Sequence, residues 1–164
     1  MQKTTIAIWS FIVLFIVILV GYMLHNNYMT YYETWKVNWG LSVSKPTESK
    51  VIFESPPSFH GDGESYYVLD YNEKKFKEIK NQTFWHPINV ESIGPLNERI
   101  SSFKESVMEI HPNKKAKYEK LFHANPIELG ESGLYYYKEK DDGSYCVTIL
   151  NIELKRLYMM EWTQ

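Results

Sequence analysis

From Ile6 to Leu24 the chain reads IAIWSFIVLFIVILVGYML, an apolar run with no charged residue and a single aliphatic hydroxyl, Ser10. As an α-helix it would be roughly 28 Å long, close to the hydrocarbon thickness of a bilayer. A helix satisfies its own backbone amides, so it is the form in which such a run can sit in lipid. A buried core helix and a cleaved signal peptide are the rival readings. Core helices rarely lack polar residues on every face. Cleavage requires small side chains at the exit, where Gly21-Tyr22-Met23-Leu24-His25-Asn26-Asn27 is filled mostly by large ones. A retained anchor is therefore expected, with Trp9 and Tyr22 suited to the two membrane interfaces. Lys3 and the terminal amine precede the run, and the first basic residue after it is Lys36. That bias predicts a cytoplasmic N-terminus and an extracytoplasmic C-terminal part.

Beyond the run, Tyr28, Tyr31, Tyr32, Trp35 and Trp39 recur at helical spacing and fall on one stripe. The stripe predicts a juxtamembrane helix ending near Gly40. Its aromatic face would rest in headgroups, pack on the domain or meet a partner. Polar and apolar positions then shift to shorter periods. Lys50–Glu54 and Ser65–Tyr71 read as strands, separated by Ser55-Pro56-Pro57-Ser58, which cannot continue a ladder. Asn72 is suited to cap a helix through Lys80 with Phe76 and Ile79 inward. Phe84-Trp85-His86-Pro87 reads as a loop. A helix from Asn97 carries Ile100, Phe103, Val107 and Ile110 on one face and stops at Pro112. Another, capped by Asn113, carries Tyr118, Leu121 and Phe122 and ends at Asn125-Pro126. The C-terminus reads as a meander: Leu134–Lys138, a turn at Asp141-Asp142-Gly143, Tyr145–Leu150, a turn near Glu153–Arg156, then Leu157–Trp162.

The predicted fold class is α+β: an N-terminal transmembrane helix, then a small domain with an antiparallel sheet and helices packed on one face. The expected divisions are 1–24 for the anchor, 25–44 for the aromatic helix and connector, and 45–164 for the domain.

Composition narrows function by exclusion. Lys and Arg number 18 against 20 Asp and Glu, a net charge of -2, so no basic face for nucleic acid is expected. Aromatics make up 16% of the chain, enough to build a core rather than a disordered tail. With one cysteine, Cys146, no internal disulfide can form. That residue alternates within an apolar strand and reads as a packed small hydrophobe, not a nucleophile.

The most unusual stretch is Phe59-His60-Gly61-Asp62-Gly63-Glu64. One reading makes His60, Asp62 and Glu64, with His86, the members of a metal-binding or proton-transfer site, because imidazole and carboxylates supply both chemistries. The spacing fits neither a calcium loop nor a phosphate loop. The other reading is structural: Gly61 and Gly63 at positive φ and Asp62 bonding the backbone of a tight turn. Elsewhere, His111 and His123 fall at helix ends. Lys114, Lys115, Lys117 and Lys120 read as a solvated face or an attraction for anionic polymer.

The Phe59–Glu64 pattern, the strand to Tyr71, Trp85-His86-Pro87 and the tyrosine-rich terminal meander together resemble an uncharacterised family of small membrane-anchored or lipid-anchored Gram-positive bacterial proteins. The resemblance runs over roughly 50–162. It implies a cell-surface location and no established activity. Several members of that family carry an extra histidine and glycines before the phenylalanine, where this chain has Pro56-Pro57-Ser58. The departure removes a ligand that a metal site would use.

The function expected from these features is a non-enzymatic interaction module presented outside the cell membrane, with the lipid bilayer as its first partner and a membrane protein as a second. No cofactor and no metal are expected. The alternatives are a membrane-tethered hydrolase or metal enzyme built on His60–Glu64, and an accessory or immunity-type protein that binds another membrane protein.

Overall fold

The structure is a computed structural model that describes residues 13–21, 30–56, 62–130 and 132–164. The chain divides into two compact units, Met1–Ser42 and Val43–Gln164.

In the first unit, residues 13–21 are helical (α1). Its eight large apolar side chains, Val13 to Val20, are exposed by between 43% and 61% on every face. Among the described residues no helix is long and apolar enough to cross a membrane. Residues 6–12 and 22–24 of the expected span lie outside the described residues, as do Trp9, Tyr22 and Tyr28. A second helix (α2, Tyr31–Trp39) follows, ended by Gly40, whose amide bonds Lys36 O at 3.0 Å while Leu41 N reaches Trp35 O at 3.2 Å. The aromatic positions of α2 differ in exposure. Tyr31 is exposed and Tyr32 half-buried, while Trp35 and Trp39 are buried.

In the second unit, six strands among the described residues form one antiparallel sheet. They are β1 (Glu48–Glu54), β2 (Gly63–Asp70), β3 (His86–Pro87), β4 (Leu134–Glu139), β5 (Tyr145–Asn151) and β6 (Arg156–Thr163), in the order β1-β2-β6-β5-β4-β3. The helices are α3 (Glu73–Lys80), α4 (Val90–Ile110) and α5 (Lys115–Ala124). The α+β class is as expected, and β5 lies inside the sheet.

Alternation along the strands assigns the two faces. Tyr66 and Val68 of β2, Tyr158 and Met160 of β6, and Val147 and Ile149 of β5 share one buried cluster with Leu96, Ile100, Phe103 and Val107 of α4 and Tyr118 and Phe122 of α5. The α4 residues repeat at four, three and four, one helical stripe. The opposite face is buried too: Tyr67, Leu69, Cys146, Thr148, Leu150, Leu157 and Met159 are inaccessible or nearly so. The expectation of one covered face is thus incomplete, because these strands are apolar on both sides.

Local signals are met unevenly. Asn72 Oδ1 accepts from Lys75 N at 3.0 Å and caps α3, with Phe76 and Ile79 buried as expected. The α4 helix begins at Val90 rather than Asn97. Asn89 and Ser92 cap it reciprocally at 2.8 and 2.9 Å, and Pro95 is carried inside the helix. Ile110 is exposed at its last turn instead of facing inward. Asn113 lies in a 3-10 turn, Pro112–Lys114, and does not cap α5. His86-Pro87, expected as loop, adds a two-residue edge strand to β4. The expected β4–β5 turn is present, and in it Gly143 takes φ 84°, a left-handed conformation open to glycine.

Candidate functional site

The described part of the glycine loop opens β2. Asp62 is exposed, Gly63 is the first strand residue, and Glu64 is only 8% exposed. His60 and Gly61 lie outside the described residues. Ser55 closes this end of the ladder: its amide donates to Glu64 O at 2.9 Å, and its hydroxyl accepts from Glu64 N at 2.8 Å. Thr163 donates its hydroxyl to Gly63 O at 3.0 Å.

Gly63 does not have the positive φ expected of it; among the described glycines Gly40, Gly130 and Gly143 do. A different constraint acts there. A Cβ on Gly63 would stand 2.6 Å from Ser55 Oγ, so the absent side chain is what lets that hydroxyl reach the Glu64 amide. Close approach, not turn geometry, accounts for the glycine.

The register carries Glu64 into a row across the sheet. Glu64 pairs with Trp162, Trp162 with Tyr145, and Tyr145 with Glu139. By alternation the row projects from the face that α4 and α5 cover. The Tyr145 and Trp162 rings are parallel, 2° apart in plane, with centroids at 6.3 Å. Tyr137 lies 6.5 Å from Tyr145 and donates its hydroxyl to the Glu139 carboxylate. Arg99 of α4 sits 4.9 Å above the Tyr137 ring and 3.4 Å from Glu139 Oε2.

Electrostatics make this cluster a poor source of bases. Burial, then the hydrogen bond to Glu139, pushes the Tyr137 hydroxyl up to about 12, and burial pushes Tyr145 up to about 12. Both phenols therefore keep their protons at neutral pH. Glu139 is already engaged by Tyr137 and Arg99.

His86 does not join Glu64. It lies on β3, exposed, with its ring 5.4 Å from that of Tyr135. Four inter-strand steps separate β3 from β2, roughly 19 Å at the usual spacing. His86 also shares the row of Tyr135, Ile149, Tyr158 and Val68, four residues along β2 from Glu64. One reacting atom cannot touch both. Among the described residues no three of His, Cys, Asp and Glu converge as a metal set.

The remaining candidates have structural surroundings. His111 ends α4 with its ring 6.2 Å from Phe53 and 5.6 Å from Tyr118. Cys146 is fully buried beside Thr148 and Met159, and burial pushes its thiol up to about 12. Lys114, Lys115, Lys117 and Lys120 are exposed on and before α5.

Sequence reasoning missed two groupings. The row from Glu64 to Glu139 is assembled by register between strands far apart in the chain; the abundance of tyrosine in the meander was its one visible trace. The second is Asp70 with Arg156, joined at 2.7 and 3.2 Å across β2 and β6. No protein family, curated protein or solved structure matches the chain.

Proposed function

We propose that this chain is a single-pass membrane protein whose N-terminal helix, 6–24, holds the α+β unit outside the cytoplasmic membrane as a non-enzymatic interaction module. The observation that carries the proposal is α1. Eight consecutive large apolar side chains exposed on all sides have no explanation in water, where a surface helix keeps a polar face. In hydrocarbon they need none, and the apolar sequence continues through 6–12 and 22–24. Trp9 and Tyr22 would lie at the two interfaces, and Lys3 would hold the N-terminus in the cytoplasm.

The non-enzymatic part draws support from the separation of His86 from Glu64, the protonated tyrosines and the inert Cys146. The interaction part draws on the anchor itself, which restricts the unit to partners at the membrane.

Two measurements test the proposal on the full chain. Alkaline carbonate should leave the protein in the membrane pellet, and protease added to wall-free cells should digest the unit down to a short anchored stub. Release by carbonate would refute the anchor, and complete protection would refute the orientation. Purified in detergent, the chain should not hydrolyse ester, peptide or phosphoester reporters, with or without zinc. Hydrolysis that disappears in both His60→Ala and Glu64→Gln would replace the module with the tethered enzyme.

A further inference from the structure

At the opposite end of the sheet from Glu64 lies a cavity of about 420 Å³ between the strands and the segment that follows α5. The register explains why it is there. Lys50 of β1 and Tyr158 of β6 both flank Val68 of β2 in one row, and Glu48 and Arg156 flank Asp70 in the next. By alternation all six project from the face that α4 and α5 cover. Neighbouring strands are about 4.8 Å apart, so Lys50 and Tyr158 stand roughly 10 Å from one another over the short Val68 side chain. Val68 is the floor and the longer side chains are the walls. Asn125 and Glu128, past the end of α5, also line it.

The polar groups are of both signs, and some are unused. Arg156 is neutralised by Asp70, bonded through Nε at 2.7 Å and Nη2 at 3.2 Å. Lys50 Nζ bonds the neutral amide oxygen of Asn125 at 2.9 Å, and Asn125 is fixed in turn by its bond to Leu121 O at 2.8 Å. Lys50, Glu48 and Glu128 take part in no ion pair among the described residues. Tyr158 is 1% exposed; its hydroxyl oxygen lies against the Arg156 guanidinium and the Glu128 amide, and its own proton meets no acceptor among the described residues. A buried polar atom left in that state is costly, by about 1–3 kcal/mol, unless something fills the place of water.

We infer that this cavity binds a small zwitterion of amino-acid type, its carboxylate received by Lys50 and the Tyr158 hydroxyl and its ammonium by Glu48 and Glu128. A simple anion would meet three carboxylates, counting Asp70, around one unpaired ammonium. A simple cation would leave Lys50 and the Tyr158 hydroxyl unused. A molecule carrying both charges answers each group. The site lies wholly within Val43–Gln164 and depends neither on the anchor nor on the glycine loop.

The test uses the full chain in detergent or nanodiscs, titrated with L-alanine and L-alanyl-L-alanine and followed by NMR or calorimetry. N-acetyl-L-alanine, which keeps only the carboxylate, and L-alaninamide, which keeps only the ammonium, serve as controls. Saturable binding of alanine or the dipeptide is expected, with each blocked derivative weaker by about tenfold or more. Preference for the dipeptide would identify a peptide ligand, and preference for alanine a free amino acid; either supports the site. Lys50→Met should weaken alanine by about tenfold and leave alaninamide unchanged, and Glu128→Gln should weaken alanine by about tenfold and leave N-acetyl-L-alanine unchanged. Val68→Phe should fill the floor and remove binding. Should that variant fold poorly, Lys50→Met, at an exposed edge-strand position, carries the test alone. Equal binding of either blocked derivative and alanine would overturn the inference, as would no saturable binding at millimolar concentration.

Discussion

Ser55 bonds Glu64 twice, amide to carbonyl at 2.9 Å and hydroxyl to amide at 2.8 Å, and Gly63 leaves the space in which that hydroxyl sits. Three residues therefore act as one unit at the mouth of the β1–β2 connection. Ser55→Ala should cost about 1 kcal/mol through the lost bond. Gly63→Ala should cost a similar amount, because its methyl group drives the hydroxyl off the Glu64 amide. The double variant should lose clearly less than the sum, by about 0.5 kcal/mol or more, since without the hydroxyl there is nothing left to displace. Chemical denaturation of the two single variants and the double variant measures the cycle. Additive losses would mean that Gly63 answers to something other than Ser55.

The location of β5 inside the sheet gives a sharper contrast. Val147 and Ile149 are fully buried, whereas Val51 on edge strand β1 is 44% exposed. Val147→Asp or Ile149→Asp should unfold the unit or cost more than about 3 kcal/mol, since an unpaired carboxylate cannot be buried cheaply. Val51→Asp should stay within about 1 kcal/mol, because its carboxylate remains in water. Comparable losses at Val51 and Val147, read as urea midpoints, would contradict this sheet order.

What was legible in the sequence is what is settled within a few residues. The Asn72 cap, the inward Phe76 and Ile79, the end of α4 before Pro112 and the Gly143 turn all rest on contacts between near neighbours. The start of α4 was hidden because Gly94-Pro95 reads as a break. The Asn89–Ser92 cap sets the helix from Val90, and Pro95, its sixth residue, gives up the bond to the Glu91 carbonyl without ending it. The candidate sites were beyond reach for another reason. Glu64 meets Tyr145 only through Trp162, and Lys50 faces Tyr158 only across Val68. Register between distant strands creates both relationships, and no local period encodes it. The same holds for His86: its imidazole suited a site shared with Glu64, and the strand order sets the two four strands apart.

Cys146 offers a probe of opening. Its thiol is fully buried and held protonated by that burial. In the folded protein a disulfide reagent at pH 8 should find no reactive thiol, and in denaturant it should find one, since the chain has a single cysteine. Labelling under native conditions should accelerate in any core variant that remains folded, because reaction requires the sheet to open. Prompt labelling of the unaltered protein would show that β5 is accessible and would undo its interior position.

The tyrosines give a pH dependence with a definite sign. Tyr137 and Tyr145 are pushed up to about 12 from the ordinary value near 10, and burial pushes Tyr66 up further still. A group whose proton affinity is raised by folding stabilises the fold in its protonated form. That contribution is complete below about pH 10, where the unfolded chain also keeps its phenol protons, and is lost as pH climbs from about 10 through 12. Melting temperature should thus fall across that window. The tyrosinate absorbance near 295 nm should show some of the 13 tyrosines titrating near 10 and others only with unfolding. Arg99 supplies the internal control. Its positive charge opposes the rise at both Tyr137 and Tyr145, so Arg99→Met should move their ionisation to still higher pH. Tyr137→Phe should remove one of the late-titrating groups and the part of the alkaline slope that belongs to it. If all tyrosines ionise together near 10 with stability unchanged, the row from Glu64 to Glu139 is open to water and is not the packed cluster described above.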